Sequence, residues 1–147
     1  MKWLLPPILF LVCLGLMVLL RWCWPLAVVV PYPYRYGGVG LMLLGVLTGS
    51  AGALTFLKAR TNIHPFHEAD QLVTSGPFRF SRNPMYLGLL LNLVGIGLLL
   101  GAVSPVLGPL AFLVTADRWY IAGEERMLKR KFGPAFAAYR QRVRRWI

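Results

Sequence analysis

Residues 82–125, RNPMYLGLLLNLVGIGLLLGAVSPVLGPLAFLVTADRWYIAGEE, hold two apolar stretches, 85–103 and 106–121, joined by Gly101-Ala102-Val103-Ser104-Pro105. Asn92 is the one strongly polar side chain of the first stretch, and the second carries no charge before Asp117 and Arg118. A helix rises about 1.5 Å per residue and a hydrocarbon core is about 30 Å thick, so each stretch reads as a membrane span. The connection leaves room only for a tight turn, which makes the pair an antiparallel hairpin. Ser104 stands 20 residues after Pro84 and 20 residues before Glu124. Equal climb and descent therefore return Arg82, Asn83, Pro84, Met85 and Tyr86 to the depth of Glu124 and Glu125, about one helix spacing of 8–10 Å away.

Two more uncharged apolar stretches precede the hairpin, at 4–20 and 37–57. Together the four predict an all-α polytopic membrane protein, a single domain over 1–147 with four transmembrane helices. Composition agrees: 57% of residues are apolar and 14% charged, against about 45–50% and about 25% in soluble domains. With a mean hydropathy of +0.60, that balance excludes a disordered tail and exceeds what a soluble globule of this size buries. A signal peptide at 4–20 is disfavoured, because no small-x-small cleavage site follows and Arg21-Trp22-Cys23-Trp24 reads as an interfacial anchor.

Charge sets the expected orientation. The chain carries 16 Lys and Arg against 5 Asp and Glu, a formal net charge of +11. With both termini cytoplasmic, all of these cations except Arg21 and Arg35 fall on the inner side, in 58–86, 118–147 and at Lys2. A positive-inside pattern with a basic tail on anionic lipid accounts for the charge, leaving no case for nucleic acid. The expectation is an integral membrane protein, in the inner membrane if the source is bacterial, with its active site facing the cytoplasm. Cys13 and Cys23 form no disulfide framework and read as packing residues.

Beyond Glu124 the apolar residues Leu128, Phe132, Phe136, Tyr139 and Val143 recur every three or four positions among Lys and Arg, the pattern of a cytoplasmic amphipathic helix interrupted at Gly133-Pro134. Such a helix either lies on the membrane surface as an anchor or closes over the polar segments as a lid.

The segment 58–86 is too polar to span. His64, His67, Glu68 and Asp70 have zinc-like spacing, but Pro65 disfavours the helix that would aim both rings together, so they read as loop residues and no metal is expected. Ser75 and Ser81 lack a nucleophile elbow. Thr74-Ser75-Gly76-Pro77 is a turn, and Asn83-Pro84 opens the third span with a cap and a first-turn proline. That helix start either is simply capped or offers free N–H groups to an anion. Glu124 and Glu125 either begin a solvated helix or, facing Arg82 and Asn83, make a pocket for a zwitterionic or cationic ligand.

The ordered set Leu72-Val73-Thr74-Ser75-Gly76-Pro77-Phe78-Arg79-Phe80-Ser81-Arg82-Asn83-Pro84-Met85-Tyr86-Leu87-Gly88, then Glu124-Glu125, Phe132-Gly133 and Tyr139, resembles the isoprenylcysteine carboxyl methyltransferase family and its prokaryotic relatives, which are broadly similar to phospholipid methyltransferases. It covers about half the chain. The resemblance implies S-adenosylmethionine in a cytoplasm-facing pocket and a lipophilic or lipid-linked acceptor taken from the bilayer. Carried over by position, it implies cofactor contacts at Asp70, Gln71, Leu72, Val73, Phe78, Asn83, Pro84, Met85, Tyr86 and Glu124. Asn83 replaces the usual His, and Tyr120 stands where the prenylcysteine enzymes place an Arg thought to hold the acceptor carboxylate.

The expected function is methyl transfer to a carboxylate on a membrane acceptor, with Asn83 and Tyr86 orienting the cofactor and Arg82 or Arg118 attracting the acceptor. Arg118 reads equally as a snorkelling interfacial residue. The alternatives are an amine N-methyltransferase acting on phospholipid, with Glu125 as base, and a non-catalytic membrane scaffold.

Overall fold

The computed structural model of the chain describes residues 6–59 and 71–147. Its α-helices there are α1 (Pro6–Cys23), α2 (Gly37–Lys58), α3 (Pro84–Leu100), α4 (Leu107–Thr115) and α5 (Ala122–Arg142), with a π-helical turn, Ala116–Ile121, joining α4 to α5. Strand-like pairing among the described residues is limited to an isolated antiparallel bridge between Val28 and Ala102. Pro6–Cys23 and Tyr34–Lys58 are long and apolar enough to cross a membrane, and Pro84–Leu100 is a shorter apolar helix of 17 residues. Leu11, Val12 and Leu19 of α1 and Leu43, Leu44 and Leu47 of α2 face outward, as lipid-facing helices require.

The closest pairing sets α2 antiparallel to α3. Gly38, Gly45 and Gly52, seven residues apart on α2, oppose Gly95, Gly88 and the Pro84–Met85 pair of α3. A Cβ on Gly45 would stand 2.6 Å from Asn92 Nδ2 and 2.7 Å from the Gly88 carbonyl oxygen, and one on Gly88 would stand 2.6 Å from the Gly45 carbonyl oxygen. Lipid tails are as apolar as leucine, so helices in a bilayer associate through packing, and glycine lets the two backbones touch. This glycine register, not legible in the hydropathy pattern, fixes the start of α3 beside the end of α2. Asn92 donates to the Gly88 carbonyl at 2.8 Å, satisfying itself on its own helix.

On the other side of α3, Leu9, Cys13 and Met17 line one face of α1 at four-residue spacing and pack with Leu93, Phe112, Ala116 and Tyr120. Cys13 is buried as expected; Cys23 is exposed and so is not a packing residue.

The hairpin turn is present, with shifted limits. Gly101 takes the left-handed conformation (φ 68°) and ends α3 at Leu100 instead of 103, and a 3₁₀ turn at Ser104–Val106 starts the descent. The loop after α1 locks this reversal: Val29 N–H donates to the Gly101 carbonyl at 3.0 Å, Val103 N–H to Ala27 at 3.0 Å, and Arg21 Nε to Leu100 at 3.0 Å.

The descending helix does not stop at residue 121 as expected. Nothing after Ile121 breaks a helix, so the chain runs through the π turn straight into α5. Gly133 (φ 46°, ψ −115°) kinks α5 where Gly-Pro predicted an interruption. Past the kink Phe136, Tyr139 and Val143 are buried and pack with Leu72, Leu128 and Phe132. The apolar face thus folds back on the segment that follows α2, and a surface-lying anchor is not what these residues form.

Candidate functional site

The glycine contact of α2 and the hairpin reversal deliver two polar groups to one place. From α3, Tyr86 donates its hydroxyl to Glu124 Oε1 at 2.6 Å. From the approach to α3, Arg82 Nη1 lies 2.9 Å from Glu125 Oε1. The two clusters that length arithmetic set at one depth are therefore in direct contact. Tyr86 packs beside Tyr120, with ring centroids 6.3 Å apart, and both rings belong to the buried core.

Burial raises the Glu124 carboxyl to about 7, and the neighbouring Glu125 adds to the rise while the Tyr86 hydroxyl opposes it. Desolvation lowers the Arg82 guanidinium pKa, with Glu125 acting in the other direction. Arg82 Nε and Nη1 are buried and make no hydrogen bond among the described residues; the close approach to Glu125 is an ion pair without hydrogen-bond geometry. Buried donors in that state are uncommon, because an unmade bond costs about 1–3 kcal/mol, more for a charged group.

Asn83 occupies the position before the first turn of α3, but its side chain caps nothing. Its Nδ2 donates instead to the Arg145 carbonyl at 3.0 Å, and its own N–H donates to Ser81 Oγ at 3.1 Å. The C-terminal part of the chain is bound to the same segment: Arg82 N–H donates to the Arg144 carbonyl at 3.1 Å, and Tyr139 of α5 donates its hydroxyl to the Phe78 carbonyl at 2.7 Å. Burial pushes the Tyr139 hydroxyl up to about 12. Arg145 forks onto Glu125, with Nη2 to Oε2 at 2.5 Å and Nε to Oε1 at 3.2 Å, while Nη1 meets both Asp117 oxygens at 3.0 Å. Trp146 Nε1 donates to Asp117 Oδ1 at 3.1 Å. Those bonds, Glu125 foremost, hold the Arg145 pKa above its ordinary value.

Of the residues expected at the site, Arg82, Asn83, Tyr86, Glu124 and Glu125 come together. Pro84 is fully buried and Met85 half-buried, both against Gly52, so their side chains serve the α2–α3 contact. Phe78 is buried edge-on to Phe56, centroids 5.0 Å apart. Leu72 packs under the far half of α5, Val73 is half-buried, and Gln71 is exposed. Arg118 is exposed and lies near Asp117. Asp70, with His64, His67 and Glu68, lies outside the described residues. Among the described residues no three His, Cys, Asp or Glu side chains converge on a point where a metal ion could sit.

Sequence reading gave no site role to Asp117, Arg145 or Trp146, and weighed Ser81 only as a nucleophile. Asp117 carried a usable signal: an ionisable side chain inside an apolar stretch marks function or a buried partner. Arg145 and Trp146 belong to a tail whose return nothing local announces.

A phospholipid methyltransferase family model matches residues 34–135. The chain is 43% identical over 63 residues to an uncharacterized protein of Haemophilus influenzae, covering 43% of this chain and all of that one. It is 31% identical over 111 residues to protein-S-isoprenylcysteine O-methyltransferase B of Arabidopsis thaliana, 72% of this chain and 55% of the relative. Against a probable protein-S-isoprenylcysteine O-methyltransferase of Oryza sativa subsp. japonica it is 30% identical over 113 residues, 74% of this chain and 58% of the relative. The chain thus spans little more than half the length of these plant relatives. No solved structure gives a significant match.

Proposed function

The chain belongs to the phospholipid methyltransferase family as an isoprenylcysteine methyltransferase-like member, and from that premise we propose that it moves a methyl group from S-adenosylmethionine to a carboxylate on a lipophilic acceptor within the membrane. The observation that carries this reading is the guanidinium of Arg82, two of whose buried nitrogens make no hydrogen bond among the described residues, close to Glu125 and the neighbouring Tyr86–Glu124 pair. Those residues fit the methyl donor: Arg82 matches a carboxylate, and the Glu124 carboxylate matches an ammonium group or ribose hydroxyls. When bound, the donor supplies an electrophilic methyl on a sulfonium.

The chain's own residues then do three things. Tyr86 fixes the orientation of Glu124 through its 2.6 Å bond. Arg82 and Asn83, on the rigid start of α3, hold the polar end of a ligand. Phe136, Tyr139 and Val143, buried over Leu72, keep water from one flank. A carboxylate acceptor is already ionised near pH 7, so no proton has to move and positioning carries the catalysis. In this proposal four spans, including 85–103 and 106–121, cross with both termini inside, and the site faces the cytoplasm.

One observation favours a second reading, amine N-methylation. Glu124 titrates at about 7 and could take the proton an amine must lose, whereas both oxygens of Glu125 are engaged by Arg145. Incubating the purified protein with methyl-labelled S-adenosylmethionine and total lipid separates the two. The proposal expects label released by mild alkali as from a methyl ester; alkali-stable label gives the amine reading, and no label in any lipid or prenylated acceptor overturns both.

A further inference from the structure

Glu125 stands between two arginines, and they hold it unequally. Arg145 grips it as a fork, at 2.5 and 3.2 Å, on both carboxylate oxygens. Arg82 Nη1 approaches Oε1 to 2.9 Å as an ion pair, yet neither it nor Nε makes a hydrogen bond among the described residues, although the side chain is only 9% exposed. A carboxylate accepts best in its own plane, and a bidentate guanidinium occupies that edge. Arg145 is itself held from behind by both oxygens of Asp117, whose Oδ1 also receives Trp146. Its backbone carbonyl receives Asn83. The tail is therefore anchored at three points around one residue.

We infer that Arg145 is a positioning residue: by holding both oxygens of Glu125 it keeps the Arg82–Glu125 ion pair from closing into hydrogen bonds, and so leaves the Arg82 donors available for the carboxylate of a ligand. Without Arg145, Glu125 would be a buried anion whose nearest cation is Arg82. The free donors would turn to it, and the ligand site would close by internal pairing. A tail serving only as structural mortar makes a different forecast, because removing a second partner would then add damage instead of relieving it.

The contrast gives the test. Arginine side chains are labelled with ¹⁵N and the full-length protein is studied in detergent, the Arg82 Nε–H signal being identified by its loss in Arg82→Gln. In the Arg145→Gln background the signal should shift and adding Glu125→Gln should return it, a larger response to Glu125→Gln than the same substitution gives in the wild-type background. Equal response to Glu125→Gln in both backgrounds overturns the inference, with no ligand needed.

Ligand binding rests on the methyl-donor reading above and is read separately, with S-adenosylhomocysteine and with decarboxylated S-adenosylmethionine. Arg145→Gln should weaken S-adenosylhomocysteine about tenfold or more, the usual scale for lost charge-assisted bonds, with little effect on the decarboxylated compound. Arg145→Gln/Glu125→Gln should recover most of the loss. If the carboxylate belongs to the acceptor instead, both nucleosides keep their affinity in Arg145→Gln while the acceptor KM rises, and the double variant lowers it again. Loss in Arg145→Gln that the second substitution deepens overturns the inference. Failure of the wild type to bind either nucleoside removes the methyl-donor reading, and the ¹⁵N experiment still decides the role of Arg145.

Discussion

Glu124→Gln should reverse an unusual pH dependence of stability. Burial holds the Glu124 carboxyl at about 7 in the fold, against an ordinary value of 4.5 in the unfolded chain. The folded state thus binds the proton more tightly than the unfolded state. Stability from this group is complete below pH 4.5, declines as pH rises, and is lost above about 7. The gap between the two values corresponds to a difference on the order of 3 kcal/mol between the acid and neutral ends. Thermal unfolding in detergent across pH 4–8, followed by tryptophan fluorescence, should show the wild-type midpoint falling by several degrees relative to Glu124→Gln as pH rises. Tyr86→Phe removes the hydroxyl that opposes the rise, so in that variant the fall should move to higher pH. Parallel wild-type and Glu124→Gln profiles over the whole range would refute the burial argument, and so would a wild-type gain toward neutral pH.

Three further outcomes are expected. Gly45→Ala and Gly88→Ala, whose added Cβ atoms would stand 2.6–2.7 Å from the facing helix, should each cost about 1–3 kcal/mol by overpacking, while Gly40→Ala, with nothing within 4 Å, should be neutral or slightly stabilising in the same melts. Tyr139→Phe deletes the 2.7 Å bond to the Phe78 carbonyl and should cost about 1 kcal/mol, seen as faster proteolysis of the tail at unchanged protection of α2 and α3. Gly133→Ala meets open space but must hold φ 46°, ψ −115°; backbone strain of about 1–3 kcal/mol should appear as faster amide exchange confined to residues after 133.

The helices were legible because their causes are local. Uninterrupted apolar length marks α1, α2 and α3, Asn83-Pro84 the start of α3, and Gly133-Pro134 the kink in α5, whereas apolar length alone ran α3 on to 103, past the Gly101 that ends it. Even the meeting of Tyr86 with Glu124 followed from counting residues on either side of Ser104, since rise per residue is nearly constant. Less legible was the end of the descending helix: a π turn keeps its hydrogen bonds while adding one residue, so no breaker signals it.

The amino-acid sequence alone determined which residues are helical, which are too apolar for water, and which polar side chains share one end of the hairpin; each is a matter of spacing and composition along a short stretch. Tertiary structure decided the partners. The α2–α3 contact depends on glycines 43 or more residues apart meeting backbone to backbone, and Glu125 meets both Arg82 and a tail arginine more than sixty positions from Arg82 in the chain. Which of two cations hydrogen-bonds a carboxylate that both approach is set by angles and distances within a few ångströms, and the one-dimensional pattern of charges carries no record of those.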